Sequence, residues 1–321
     1  MKKILLPILA LVASTNTIMA VDDNTVEVSF NGTTATVSVA SNISSYITNQ
    51  SSGSHVKLVQ SADFQGNSTG EITYILSGTS TNGEFYLEGA YKCTVELQGL
   101  TLTNPSGPAL NIQNGKRVKV SAKSGTTSSL ADGANEEYNG CIHCKGHTEF
   151  KGKGTLNVIG NSRHAVYSKE YVEVKNITLN ITKAVKDGIH CKEYFLMEGG
   201  TVNIKGVEDD GIQVELSSDP QTGQTSGHED ENSGNFYMED GTLNIAVLDY
   251  GGEHVKVDGT TTYGGGTRNF TTTATAINDL QVEDGNTSST FDLSGRRIDD
   301  RQAKGLVIVR QAGKMVKKIV K

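Results

Sequence analysis

A four-residue pattern, Thr-apolar-Asn-apolar, recurs in this chain. It occurs as Thr155-Leu156-Asn157-Val158, Thr178-Leu179-Asn180-Ile181, Thr201-Val202-Asn203-Ile204 and Thr242-Leu243-Asn244-Ile245, at spacings of 23, 23 and 41 residues. The long spacing is one 23-residue period plus an 18-residue insertion, and the polar segment Leu216–Gly234 has the composition of one. A second column, Ile142, Val166, Ile189 and Ile212, keeps the beat at 24, 23 and 23. A third pairs Val172/Val174, Phe195/Met197 and Phe236/Met238.

Each period holds three short alternating runs separated by Gly, Asn or Asp, the signature of strands and turns. Three strands per period, repeated, predict an all-β chain: a single-stranded right-handed parallel β-helix of about 23 residues per coil. Coils in such a stack lie ~4.8 Å apart and share one core. Earlier runs alternate as well, at Ile72-Tyr74-Leu76, Phe85-Leu87, Val95-Leu97, Leu110-Ile112 and Val118-Val120. A sandwich would also alternate, but has no reason to hold a fixed register. Residues 26–39 read as a hairpin covering the exposed first edge of the stack. The expected organisation is a leader at 1–20, an N-terminal β cap at 21–69, the β-helix at 70–262, a linker at 263–276 and a tail at 277–321.

The leader has a basic start (Lys2, Lys3), a short apolar stretch from Ile4 to Val12 and a small-residue end at Ile18-Met19-Ala20. It reads as an export signal, too short to span a membrane. The predicted location is therefore secreted or cell-surface, with no transmembrane segment, and a monomer is expected. Charge is uneven: residues 291–321 carry nine Lys/Arg against three Asp, whereas 21–290 carry 18 basic against 33 acidic side chains. An acidic body excludes nucleic acid as partner and suits a cation that bridges carboxylates.

Alternation assigns directions. Ile142, Val166, Ile189 and Ile212 point inward, so His143, Tyr167, His190 and Gln213 form an outward column. Lys145, Lys169 and Lys192, continued by Glu215, form the next. These seven side chains (His143, Lys145, Tyr167, Lys169, His190, Lys192 and Gln213) are the candidate ligand-binding face, although solvated lysines would look the same. Cys141-Ile142-His143-Cys144 resembles a metal-binding spacing, yet alternation buries Cys144 and turns His143 out. Cys144 and Cys191 lie two coils apart, ~9.6 Å, too far to bridge. Core thiols are expected in place of disulfides or zinc.

The turn before this face is acidic. Asp187-Gly188-Ile189 and Asp209-Asp210-Gly211-Ile212 fall one coil apart, with Glu208 alongside and Asp249 entering the next coil. Carboxylates stacked ~5 Å apart repel one another, and calcium offsets that repulsion with oxygen ligands. Asp187, Glu208, Asp209, Asp210 and Asp249 are thus candidate calcium ligands. The alternative is that Asp-Gly only makes the turn. The stacked Asn column is expected to bond along the axis and stabilise the stack, more than to bind sugar.

Ser29-Phe30-Asn31-Gly32, Ile72-Thr73-Tyr74-Ile75-Leu76-Ser77-Gly78, Leu97-Gln98-Gly99-Leu100-Thr101-Leu102, Ser106-Gly107-Pro108-Ala109-Leu110 and the repeated Asp187-Gly188-Ile189 and Asp210-Gly211-Ile212 carry a resemblance. Over residues 25–260 the chain resembles carbohydrate-binding right-handed β-helix proteins related in fold to pectate lyases, which bind cellulose-like and acidic-sugar polymers. The resemblance implies bound calcium and no catalysis. Where the Asp-Gly-Ile turn would recur, this chain has His164 and Gly251. Asp292-Leu293-Ser294-Gly295-Arg296, Lys304-Gly305-Leu306-Val307-Ile308-Val309 and Gly313-Lys314 resemble a short type IX secretion sorting domain. A basic hairpin capping the helix is the alternative for the tail.

The reading that follows is a non-catalytic, calcium-dependent protein whose partner is an acidic (uronate) or cellulose-like polysaccharide. A calcium-dependent polysaccharide lyase is the first alternative, with Lys169 or Lys192 as base and Arg163 nearby. A cell-surface adhesin is the second.

Overall fold

The computed structural model describes residues 21–134, 137–219, 228, 230–248, 252–273, 289–291, 297–298, 305–311 and 314–320. The leader, Asp249, Gly251 and most of the sorting-like motif at 292–304 lie outside them. Among the described residues the only helix is one 3-10 turn, Ser41–Tyr46. Everything else regular among them is strand, most of it wound as a parallel β-helix of about 8 turns.

Three ladders run up the stack. The first climbs from Ile72–Ser80 through Cys93–Leu97, Val118–Ala122, Thr148–Gly152, Val172–Val174, Tyr194–Met197 and Asn235–Met238 to Thr261–Tyr263. The second runs from Thr101–Asn104 through Thr127–Asp132, Thr155–Gly160, Thr178–Ala184, Thr201–Val207 and Thr242–Leu248 to Thr267–Thr273. The third runs from His55–Gln60 through Glu84–Gly89, Leu110–Asn114, Gly140–Cys144, His164–Ser168, Ile189–Lys192 and Ile212–Glu215 to Val255–Val257.

The repeat maps directly onto this register. Thr155, Thr178, Thr201 and Thr242 pair in sequence up the second ladder, so the insertion leaves the ladder intact. The Asn column forms an amide chain: Asn180 donates to Asn157 (2.8 Å), Asn203 to Asn180 (2.7 Å) and Asn244 to Asn203 (2.6 Å). Inward columns make the core. Ile142, Val166, Ile189 and Ile212 are fully buried, and Phe195 stacks on Phe236 at 5.0 Å and 4°. One continuous cluster links Val26 at one end to Val247 near the other.

Both ends differ from the expected boundaries. The N-terminal hairpin exists (Thr25–Asn31 with Thr34–Val39), but its first strand also pairs in parallel with Ile72–Ser80, so the cap is continuous with the first ladder. The segment read as a linker from 263 contains a further rung, Thr267–Thr273, in register with Thr242–Leu248. There Arg268 stands in the column that carries buried Leu156, Leu179, Val202 and Leu243 on the rungs below. It sits 4.0 Å over the Tyr263 ring, and both side chains are exposed. Among the described residues, the tail strands Ser289–Phe291, Arg297–Ile298, Gly305–Gln311 and Lys314–Val320 pair with one another alone, in a separate antiparallel sheet.

Cys93, Cys141, Cys144 and Cys191 are all buried and unbridged; alternation places Cys144 and Cys191 inward, whereas Cys141 is buried despite sharing the outward parity of His143. Burial pushes Cys144 up to about 11, so it stays a thiol at neutral pH and reacts slowly. The native protein should therefore resist thiol reagents, and denatured protein should titrate as four free thiols even after expression under oxidising conditions. A lower count would contradict the coil register.

Candidate functional site

The turn from the second ladder to the third places one side chain per coil at the same point: His164, Asp187, then Asp210. Its shape depends on glycine. A Cβ on Gly188 would lie 2.7 Å from the Gly211 carbonyl oxygen, and one on Gly211 2.6 Å from the His254 carbonyl oxygen. With glycine there, the Gly188 amide reaches the Asp210 carbonyl and the Gly211 amide reaches the Glu253 carbonyl. Each aspartate also accepts from the coil above: Asp210 N donates to Asp187 Oδ1 (3.1 Å), and Glu253 N donates to Asp210 Oδ1 (2.7 Å). The residue that follows Asp210 in this column is therefore Glu253, not Gly251.

Asp187, only 1% exposed, is the hub. Its Oδ2 lies 2.8 Å from His190 Nδ1 and 3.1 Å from His164 Nδ1. Burial alone would raise this carboxyl, but the hydrogen bonds and charge of His164 and His190 outweigh it and hold it well below the usual carboxylate range. Burial in turn lowers His164, against the pull of Asp187. Asp210 Oδ2 takes the Lys256 ammonium at 3.0 Å. Oxygens of Asp187, Asp209 and Asp210 lie within 4.8 Å of one another, with Asp209 on the exposed side. Burial, then the charges of Asp187 and Asp210, push the Asp209 carboxyl up. Glu208 is exposed and makes no part of that cluster.

The outward column of the third ladder is a ring stack. His143 lies on Tyr167 (5.2 Å, 12°) and Tyr167 on His190 (5.4 Å, 19°), with Tyr138 edge-on to His143. The column was expected to face solvent throughout. His190 instead is 7% exposed, because Asp187 draws its imidazole into the turn and His164 packs beside it at 4.5 Å. Burial pushes His143 down to about 4, so its ring is neutral at pH 7. With faces covered by one another, the rings offer edges and the Tyr167 hydroxyl. Gln213, half-buried, donates to Glu215 at 3.2 Å.

The lysines separate into two kinds. Lys145 is exposed, and Lys169 lies 3.9 Å from the exposed Asp219, a contact that solvent screens. Lys192 is held 3.2 Å from Glu215. Lys116, Lys145, Lys169, Glu170 and Asp219 line a cleft of about 350 Å³ with the backbone at Gly89, Ala90 and Gly115. Lys116, which comes from a turn rather than a strand, was not singled out by alternation.

A stacked parallel β-helix with this face can be compared with known proteins. The family model described as "Carbohydrate-binding domain-containing protein" matches residues 65–302. This chain belongs to that family. The match takes in the ring stack, the acidic turn and the lysine cleft together. Among solved structures, the "polysaccharide lyase-like protein from C. thermocellum", a gadolinium derivative, superposes with a TM-score of 0.55 at 18% identity. The alignment covers 78% of this chain and 96% of that one. At that identity the likeness speaks for the carbohydrate-binding member's fold alone. Curated proteins give no match. No helix among the described residues is long and apolar enough to cross a membrane.

Proposed function

We propose that this carbohydrate-binding protein, exported from the cell, holds an extended acidic polysaccharide along its third ladder without cleaving it, and that calcium assists at the adjoining Asp-Gly turn. The observation that carries the reading is the cleft where Lys116, Lys145 and Lys169 converge. Lys145 and Lys169 stand on successive coils, ~4.8 Å apart, a step comparable to one hexose of an extended chain. Each ammonium thus meets a successive carboxylate. The ring stack alongside supplies hydrogen-bonding edges for neutral hydroxyls.

Calcium fits the chemistry of the turn, since Asp187, Asp209 and Asp210 offer hard carboxylate oxygens. Lys256 is the competing cation on Asp210, and calcium would displace it. The bound ion would supply positive charge where the third-ladder strands begin, across the ring stack from the lysine cleft at their far end. Because Asp187 and Asp210 also hold the turn together, Asp209 is the ligand whose loss separates metal binding from folding. Passage to the cell surface by the tail strands belongs to the same proposal.

The His190–Asp187 contact at 2.8 Å supports a second reading, a lyase whose base is an oriented imidazole. Ultraviolet absorbance of unsaturated uronate product decides between the two. The main test is capture on pectin, alginate, cellulose and xylan, with and without EDTA. Uronate polymers should retain the protein more strongly, and retention should weaken as salt rises, because exposed charges are screened within ~8–10 Å. Lys145→Ala with Lys169→Ala should reduce uronate capture about tenfold while leaving the fold intact, a loss of ~1.4 kcal/mol. Asp209→Asn should remove the EDTA effect. Equal capture of pectin by the lysine variant and the parent would move the binding face elsewhere, to the Asn groove first.

A further inference from the structure

The turn from the third ladder to the first carries a second constellation. His147, Glu170 and Glu193 follow one another at 23-residue intervals, one per coil. Each is 1% exposed. One nitrogen of His147 and one oxygen of each glutamate lie within 4.8 Å of one another, and His147 Nε2 is 3.3 Å from Glu193 Oε2.

The fold presets these groups. His147 lies flat on Tyr171 (4.1 Å, 13°), and Tyr171 on Tyr194 (4.7 Å, 21°), which fixes the imidazole plane. Gly146 allows the turn to press against its neighbour: a Cβ there would lie 2.4 Å from the Lys116 carbonyl oxygen. Glu193 holds a left-handed backbone, φ 65°, unusual for this residue type. Its amide donates to the Glu215 carbonyl (2.9 Å) and its own carbonyl accepts from Gly234 (2.7 Å), so the backbone is engaged along the stack. Two glutamates this close, away from water, oppose one another as anions, and one imidazole balances at most one charge.

We propose that His147, Glu170 and Glu193 form a site for a divalent transition-metal cation of the zinc or manganese class. The imidazole nitrogen distinguishes it from the all-oxygen acidic turn, because calcium takes oxygen ligands whereas imidazole suits zinc and its neighbours. Three protein ligands leave a tetrahedral metal one open position. Glu170 also lines the lysine cleft, which gives an ion a way in. The assignment does not depend on which polysaccharide the protein binds, or on whether it binds one.

The full chain, stripped with a chelator and dialysed, is titrated with zinc and separately with calcium, following heat released and melting temperature. One zinc equivalent should bind and raise the melting temperature with concentration, as any ligand of the folded state does. Glu170→Gln and Glu193→Gln keep shape while removing charge, and each should weaken zinc more than ~100-fold, beyond the cost of losing an outer partner. Asp209→Asn should leave zinc unchanged, which separates this site from the acidic turn. Cobalt(II) placed there should show an imidazole-coordinated spectrum that His147→Gln abolishes. Zinc affinity unaltered in both glutamine variants would overturn the site. Calcium competing with zinc at equal concentration would overturn the class of metal.

Discussion

Asp187→Ala is expected to cost about 3–5 kcal/mol at neutral pH, the range for removing one partner from a buried charged network. Two groups lose their acceptor at once, His190 and the Asp210 amide, and His164, whose Nδ1 accepts from the Asp187 amide, loses the carboxylate 3.1 Å away. Asp187→Asn keeps the shape and one carbonyl oxygen, so it should cost less. The sign of the pH dependence follows from the same contacts. The folded carboxyl lies below its unfolded value of ~3.9, so its contribution is complete above that pH and is lost as acid protonates it. Buried His164 is also depressed, which removes stability as pH falls below ~6.5. Asp132 acts the other way, since burial raises it to about 6 and favours the folded state in acid. That contribution is common to parent and variant and cancels in their difference. Urea melts at pH 7, 5 and 3 should therefore show a difference that shrinks below pH 4. A difference under ~1 kcal/mol at pH 7, the level of an ordinary surface change, would remove Asp187 as the hub.

Period and alternation made the coils legible because every rung repeats the same physical demand. An inward apolar residue must meet another inward apolar residue one coil away, so Ile142, Val166, Ile189 and Ile212 announce their register from sequence alone. The same logic failed where the demand lapses. Thr267-Arg268-Asn269-Phe270 escaped notice because Arg268, which is exposed, stands in register with the apolar Leu243. Thr127-Ser128-Ser129-Leu130 escaped because buried Ser128 fills an inward slot, accepting the Leu100 amide at 3.0 Å. Yet Ser129 does what an Asn would do there, accepting from Asn157 at 3.3 Å.

The turns were harder than the strands. Spacing brings residues 23 apart into one column, which was enough to stack Asp187 under Asp210 and to place His164 with them. Alternation says nothing about where a turn side chain points, so neither the burial of His190 nor the meeting of His147, Glu170 and Glu193 was visible. Pairings across columns, such as Lys256 with Asp210, depend on side-chain reach in the same way. The acidic turn was legible as a cluster of charge. Its role in tying one coil to the next emerged only from the amides that its carboxylates receive.

Phe195→Ala should be the most damaging single change in the core, at about 3–5 kcal/mol. The ring is fully buried and lies face to face on Phe236, with Val172 as its partner one coil below. Truncation leaves a void that its neighbours cannot fill, because each is pinned to its own rung by ladder hydrogen bonds. Phe195→Leu keeps most of the volume and should cost less than half as much. In a solenoid each coil contacts only its neighbours, so the damage should be local before it is global. Amides in Tyr194–Met197 and Asn235–Met238 should exchange faster, while the rungs below Gly140–Cys144 keep their protection. The coil of Phe195 also carries His190, Lys192 and Glu193, and the insertion after Leu216 leaves from the coil above. Loosening it should therefore weaken metal and polymer binding together, although Phe195 touches neither site. Hydrogen exchange that rises uniformly along the chain would show that the stack unfolds as one unit, and the local coupling argued for these coils would fail.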